Sequence, residues 1–167
     1  AFGSYPALRL VLASATEAWK VAPLLKAGNI PVLINVMENL PQNFDRLGAR
    51  LDQATLLAEA GVRFAFFSGS PYSETRSLSQ AAGIAVAQGL SWQQAITAIT
   101  AAPAEIWGLK GLGRIEVGAI ADLVIWNGDP LEVTSAPVAV LIDGARVDLE
   151  TRQDALAKRY VELLNLK

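Results

Sequence analysis

Three short runs of near-continuous apolar residues set the architecture open to this chain: Leu8–Ala13 (LRLVLA), Pro31–Val36 (PVLINV) and Val62–Phe67 (VRFAFF). A strand with one wet face alternates apolar and polar residues. A run without alternation belongs to a strand covered on both faces, which is the pattern of a parallel sheet. Between the first two runs, Ser14-Ala15-Thr16-Glu17 has the S-x-x-E spacing of a capping box. It predicts a helix to about Ala27, with Gly28 at the C′ position. Between the second and third runs lie a polar loop and a helix near Asp52–Glu59 that ends at Ala60-Gly61. The order β-α-β-loop-α-β therefore predicts parallel crossovers, which are almost always right-handed.

Beyond the third run, Gly69–Ser73 reads as a loop and Glu74–Gln88 as a helix stopped by Gly89. Ser91–Gln94 repeats the capping-box spacing and starts a helix through about Ala101. Pro103 then begins a short helix that Gly108 ends. The pattern changes at Leu109–Gly113 (LKGLG), after which short strands are expected at Arg114–Glu116, Asp122–Trp126, Val138–Asp143 and Arg146–Leu149. Asp143-Gly144 is a hairpin signal, because a tight two-residue turn needs positive φ. A helix over about Arg152–Leu164 closes the chain. Residues 1–111 thus form an α/β layer system, 112–150 a small β unit and 151–167 a C-terminal helix.

Composition narrows the chemistry. The 167 residues contain no Cys and no His, with 14 basic and 16 acidic residues for a net charge of −2. Thiol nucleophiles, disulfides, imidazole bases and His- or Cys-ligated metals are excluded within this chain. The charge balance predicts neither a nucleic-acid partner nor an anionic membrane surface. No apolar run reaches the length of a membrane span. The opening AFGSYPALRL has no basic n-region and no long apolar h-region, so it does not read as a signal peptide. It starts without Met, as expected of a segment that begins inside a longer protein or after a processing site.

Gly113–Trp126, GRIEVGAIADLVIW, resembles the C-terminal signature of the amidohydrolase superfamily, and within it the imidazolonepropionase-like branch. That pattern, roughly G-x-I-x-x-G-x-x-A-D-L-V-V, is met by Gly113, Ile115, Gly118, Ala121, Asp122, Leu123 and Val124. The flanks agree: Thr100–Gly108 (TAAPAEIWG), Asn127–Pro130 (NGDP) and Val140–Val147 (VLIDGARV) resemble the segments on either side of it. Glu17–Val36 resembles the sixth helix and seventh strand of the family's barrel, and Ala60–Phe67 the eighth strand.

The resemblance implies the C-terminal part of a TIM (β/α)8 barrel over residues 1–111, followed by strands of a small β-sandwich. A complete barrel takes about 250 residues. The family hydrolyses C–N bonds in cyclic amides, ureas, amidines or dipeptides, using one or two divalent metals such as zinc. Its eighth strand ends in an Asp that binds metal and accepts a proton from the attacking water. The matching segment here is Ser68-Gly69-Ser70-Pro71, with Gly69 where the Asp should stand. Leu12–Ser14, at the end of strand six, offers no His. The resemblance therefore implies no catalytic residue, no metal ligand and no cofactor held by this chain alone.

The polar residues near the expected barrel mouth read as local structure. Ser70 or Ser73 suits a helix N-cap, Glu74 suits a first turn, and Ser68 lacks a visible activating base. Asp122 is expected to bind turn amides, Asp129 to shape a turn before Pro130, and Asp143 to serve the hairpin. Glu38, Asp45 and Asp52 read as solvated loop acids after strand seven, with the lining of a substrate mouth as the alternative. Arg46, Arg50 and Arg76 read as surface cations, and Trp19, Trp92, Trp107 and Trp126 as core and sandwich packing. The expected partner is the remainder of the barrel or another copy of the chain, including a homo-oligomer. The tail TRQDALAKRY resembles those of secreted bacterial relatives. It implies a periplasmic origin, with the cytoplasm as the alternative.

Overall fold

The computed structural model describes residues 8–41, 43–68 and 77–165. Two sheets organise them. The first is parallel, in the order β1 (Leu12–Ala13), β2 (Val32–Ile34), β3 (Phe64–Phe66), with Val32 opposite both Leu12 and Phe64. The parallel pairing expected from continuous apolarity is present, because β2 and β3 are covered and the helices between them carry the chain back. The strands are shorter than the apolar runs. Leu8 and Leu12 are both exposed, so only the last two residues of the first run pair.

The helices around this sheet are α1 (Ala22–Ala27), α2 (Gln53–Glu59), α3 (Leu78–Ala87), α4 (Trp92–Ile99) and α5 (Ala101–Trp107). One core joins α1, α2, α3 and α4 to the sheet, with Leu25, Val32, Ile34, Leu57, Phe64 and Phe66 among its larger members. Leu57 is fully buried, which contributes about 1.5–3 kcal/mol. The helix contacts use small residues. Ala81, Ala82, Ala85, Ala95 and Ala98 are all buried, so α3 and α4 pack closely.

The second sheet is antiparallel, with β5 (Pro137–Ile142) between β4 (Leu123–Trp126) and β6 (Ala145–Val147). Asp143 and Gly144 take φ of 50° and 77° in the expected hairpin turn. Leu131 reaches from this unit into the core of the first. Helix α6 (Arg152–Asn165) closes the described chain, with Thr151 and Asp154 bonded reciprocally at its start. No described helix is long and apolar enough to cross a membrane.

Three sequence expectations fail. Ser14–Glu17 is not a capping box: Ser14 sits at φ 55°, and the Glu17 carboxylate accepts from the Gly48 amide at 2.6 Å and from Lys20. The chain enters α1 through a 3-10 turn, Ala18–Val21, with Pro23 in the first turn of the helix. Gly28 is not the left-handed stop, because it keeps a right-handed φ of −80° while Asn29 takes φ 51°. Arg114–Glu116 is a bend and irregular chain rather than a strand, and Ile115 is 90% exposed. The Ser91–Gln94 capping box is present in both directions. Of the Glu74–Gln88 helix, residues before Ser77 lie outside the described residues, as does the whole Gly69–Ser73 loop.

Candidate functional site at the strand ends

Barrel enzymes place their chemistry at the C-terminal ends of the parallel strands. Here those ends lead into Ser14 after β1, Asn35 after β2, and Phe67 and Ser68 after β3. The loop that leaves β2 begins with a 3-10 turn, Val36–Glu38, started by Asn35, whose Oδ1 accepts from the Met37 amide at 3.1 Å. It returns at α2, where the Gln53 Nε2 donates to the Ala15 carbonyl at 2.6 Å.

The middle of this loop is held against the segment after β1. The Trp19 indole donates to the Gly48 carbonyl at 2.9 Å, and the Arg50 guanidinium lies 5.0 Å from the Trp19 ring centroid. Lys20, and then the Gly48 amide, hold the Glu17 carboxyl below its ordinary range.

Two of the three loop acids, Glu38 and Asp52, are occupied. Glu38 accepts from Arg46 at 3.1 Å. Arg50 grips Asp52 with two bonds of 2.7 and 2.6 Å, lowering the Asp52 pKa and raising its own. Asp45 is exposed. Arg46 and Arg50 are thus committed to carboxylates of their own loop.

What the strand ends bring together instead is a set of amides and hydroxyls beside one carboxylate, Glu38. Asn35, Asn39 and Gln53 are 6%, 1% and 1% exposed, and with Ser14, Thr16 and Glu38 they line a small cavity of about 10 Å³. Sequence reasoning missed these three amides. The available signal was Asn35 itself, a polar residue closing an apolar run at the expected strand end. A larger cavity of about 280 Å³ lies at the other end of β3, beside Val62, Arg63 and Phe64. It opens at the N-terminal strand ends, the side of a barrel associated with stability.

The remaining expectations divide. Asp122 accepts from the Asp143 amide at 2.8 Å, as anticipated. Asp129 accepts from the Leu131 amide at 2.9 Å and from the Trp92 indole at 3.0 Å, so it clasps α4 to the β unit as well as shaping its turn. Trp92 and Trp107 are 43% and 55% exposed and are not core residues, while Trp19 and Trp126 are half-buried. Gly69, Ser70, Ser73, Glu74 and Arg76 lie outside the described residues.

Amidohydrolases generally use a divalent metal. Among the described residues no three His, Cys, Asp or Glu side chains come together. The strand-end donors Ser14, Asn35 and Ser68 are neutral, and Glu38 and Asp52 are engaged by arginines. The described residues do not fit such an ion.

Residues 51–148 match the model of an amidohydrolase family, Amidohydro_3. That is more than half of the sequence, and the chain belongs to the amidohydrolase family. It is 30% identical to the amidohydrolase tasK of Hapsidospora irregularis over 118 residues, covering 70% of this chain and 12% of that protein. It superposes on an amidohydrolase from Thermotoga maritima MSB8 with a TM-score of 0.77 and 29% identity, covering 83% of this chain and 37% of that one. Atrazine chlorohydrolase TrzN from Arthrobacter aurescens TC1, complexed with zinc, shares the fold at a TM-score of 0.62 and 17% identity, over 92% of this chain and 40% of that one. The chain therefore spans about an eighth of the curated relative and about two fifths of these structures.

Proposed function

We propose that this chain is wall and mouth loop of a barrel whose relatives hydrolyse C–N bonds, and that it contributes no ligand to a metal. The reading is carried by Gly69. It follows Ser68 just beyond β3, at the position where the family pattern has its strand-eight Asp. Glycine can neither coordinate a cation nor take a proton from water. The neutral strand ends and the arginine-paired loop acids support the same view.

For the whole protein, the signature GRIEVGAIADLVIW favours the imidazolonepropionase-like branch, with cyclic amides, related compounds or dipeptides as substrates. Metal analysis of the 167-residue chain, followed by a hydrolysis panel on the full-length protein, tests both levels. Well under one equivalent of zinc is expected in the chain. One tightly bound equivalent would overturn the claim that its site is degenerate.

A second reading, a relative that binds at the mouth without turnover, is favoured by the same glycine. It requires ligand binding by the full-length protein without hydrolysis, and measurable turnover would sink it. A third is that another chain completes the barrel. Strands β1 and β3 are the outer strands of the described sheet, and proteins normally pair or cover such edges. A monodisperse monomer in sedimentation would remove assembly between copies.

A further inference from the structure

Asn35, Asn39 and Gln53 leave four side-chain atoms fully buried with no hydrogen-bond partner among the described residues: Asn35 Nδ2, Asn39 Nδ2, Asn39 Oδ1 and Gln53 Oε1. A buried amide normally finds partners, and each orphaned group costs about 1–3 kcal/mol. All three side chains line one cavity, so the orphans have a common space in which to be satisfied.

The set is balanced, two amide donors against two carbonyl acceptors. Turning the Asn39 amide over exchanges its nitrogen and oxygen and leaves that balance unchanged. Glu38, on the same wall, is already paired with Arg46, and the orphaned amides suit a group that both donates and accepts. A cation would face the two NH2 groups and an anion the two carbonyl oxygens. The cavity measures about 10 Å³, which is roughly the space needed to hold one water molecule. A urea or carboxamide group is too large for it.

We infer that Asn35, Asn39 and Gln53 form a site for a single ordered water at the barrel mouth. This water staples the loop after β2 at both its ends. Asn35 and Asn39 lie where the loop leaves the sheet and Gln53 where it returns to α2. The water accepts from the amide nitrogens at the exit and donates to Gln53 Oε1 at the return. The middle of the loop is independently held by Glu17 and Trp19 on Gly48. The loop is therefore pinned in three places. The inference does not depend on turnover by the whole protein.

The test combines one measurement on the unaltered full-length protein with one variant. A crystal structure should place a water within about 3 Å of Gln53 Oε1 and of Asn39. Direct bonds among the three amides, or a side chain from elsewhere filling the space, would overturn the inference. Asn39→Leu supplies the second arm, because neither polar atom of the Asn39 amide has a partner among the described residues. If the water is bound, the variant expels it and strands Gln53 and Asn35. The unfolding equilibrium constant then rises on the order of tenfold, and oxygen-17 relaxation dispersion counts one long-lived water fewer. If the water is absent, Asn39→Leu removes two orphaned atoms and stabilises the protein, which refutes the site.

Discussion

Gly113 and Gly118 both belong to the signature that marks the family, and the structure assigns them unequal burdens. Both lie in the left-handed region, at φ 77° and 87°. An alanine at either carries the backbone penalty of roughly 1–2 kcal/mol. At Gly118 nothing lies within 4 Å of the added Cβ, so that penalty is the whole cost. At Gly113 the Cβ would stand 2.5 Å from the Thr100 carbonyl oxygen, 2.8 Å from its carbon and 2.9 Å from the Ala101 Cα. These are backbone atoms at the junction of α4 and α5, next to the buried Ala98 and Ala101, and they cannot swing aside as a flexible side chain would. Overpacking of this kind adds about 1–3 kcal/mol.

Gly113→Ala should therefore cost about 2–5 kcal/mol and Gly118→Ala about 1–2. For a chain of this size the expected falls in Tm are roughly 10 °C and roughly 4 °C. Thermal unfolding followed by circular dichroism, with urea titration for the free energies, measures the pair. Equal losses would show that the close approach of Gly113 to the helix junction is wrong, and that only its φ matters.

Ser91→Ala removes the hydroxyl that caps the Gln94 amide on α4, leaves the reciprocal bond from the residue-91 amide to the Gln94 side chain in place, and should cost about 1 kcal/mol, read from the urea midpoint. Asp122→Ala should lose about 1 kcal/mol, while Asp122→Asn, which keeps an acceptor for the Asp143 amide, should stay near the parent. Gly83→Ala places a methyl group against the Leu131 carbonyl. The resulting overpacking, about 1–3 kcal/mol, should outweigh the roughly 1 kcal/mol gain in helix propensity, and a stabilised variant would refute that contact. The Trp92 indole first, and then the Leu131 amide, hold Asp129 below its ordinary pKa. The unfolded chain therefore binds this proton more readily. The stabilisation is complete above about pH 4 and fades as pH falls through the lower folded value. Asp129→Asn should flatten urea stability between pH 4 and lower pH, leaving neutral pH as the reference.

Much of the scaffold was legible because it is written locally. Continuous apolarity in PVLINV and VRFAFF marked buried parallel strands, since no face of them could meet water. Asp143-Gly144 marked the hairpin because few other dipeptides accept two positive φ angles. Ser91–Gln94 marked a helix start and is one. Ser14–Glu17 has the same spacing and is not: a carboxylate three residues along serves whichever amide is nearest, and the fold brings Gly48 there. Ile115 and its neighbours have strand-like composition but find no partner strand among the described residues, so they stay irregular.

The mouth follows the same division. Residue identity needs no folding, so the absence of imidazole and thiolate from this chain and the glycine at position 69 are plain before any contact forms. That Glu38 pairs with Arg46, and that three amides from the two ends of one loop close around a single small cavity, emerges only on folding. Gln53 stands at the far end of the loop from Asn35 and Asn39. Their desolvation arises when β2, the segment after β1 and α2 pack together, and no spacing in the sequence encodes it.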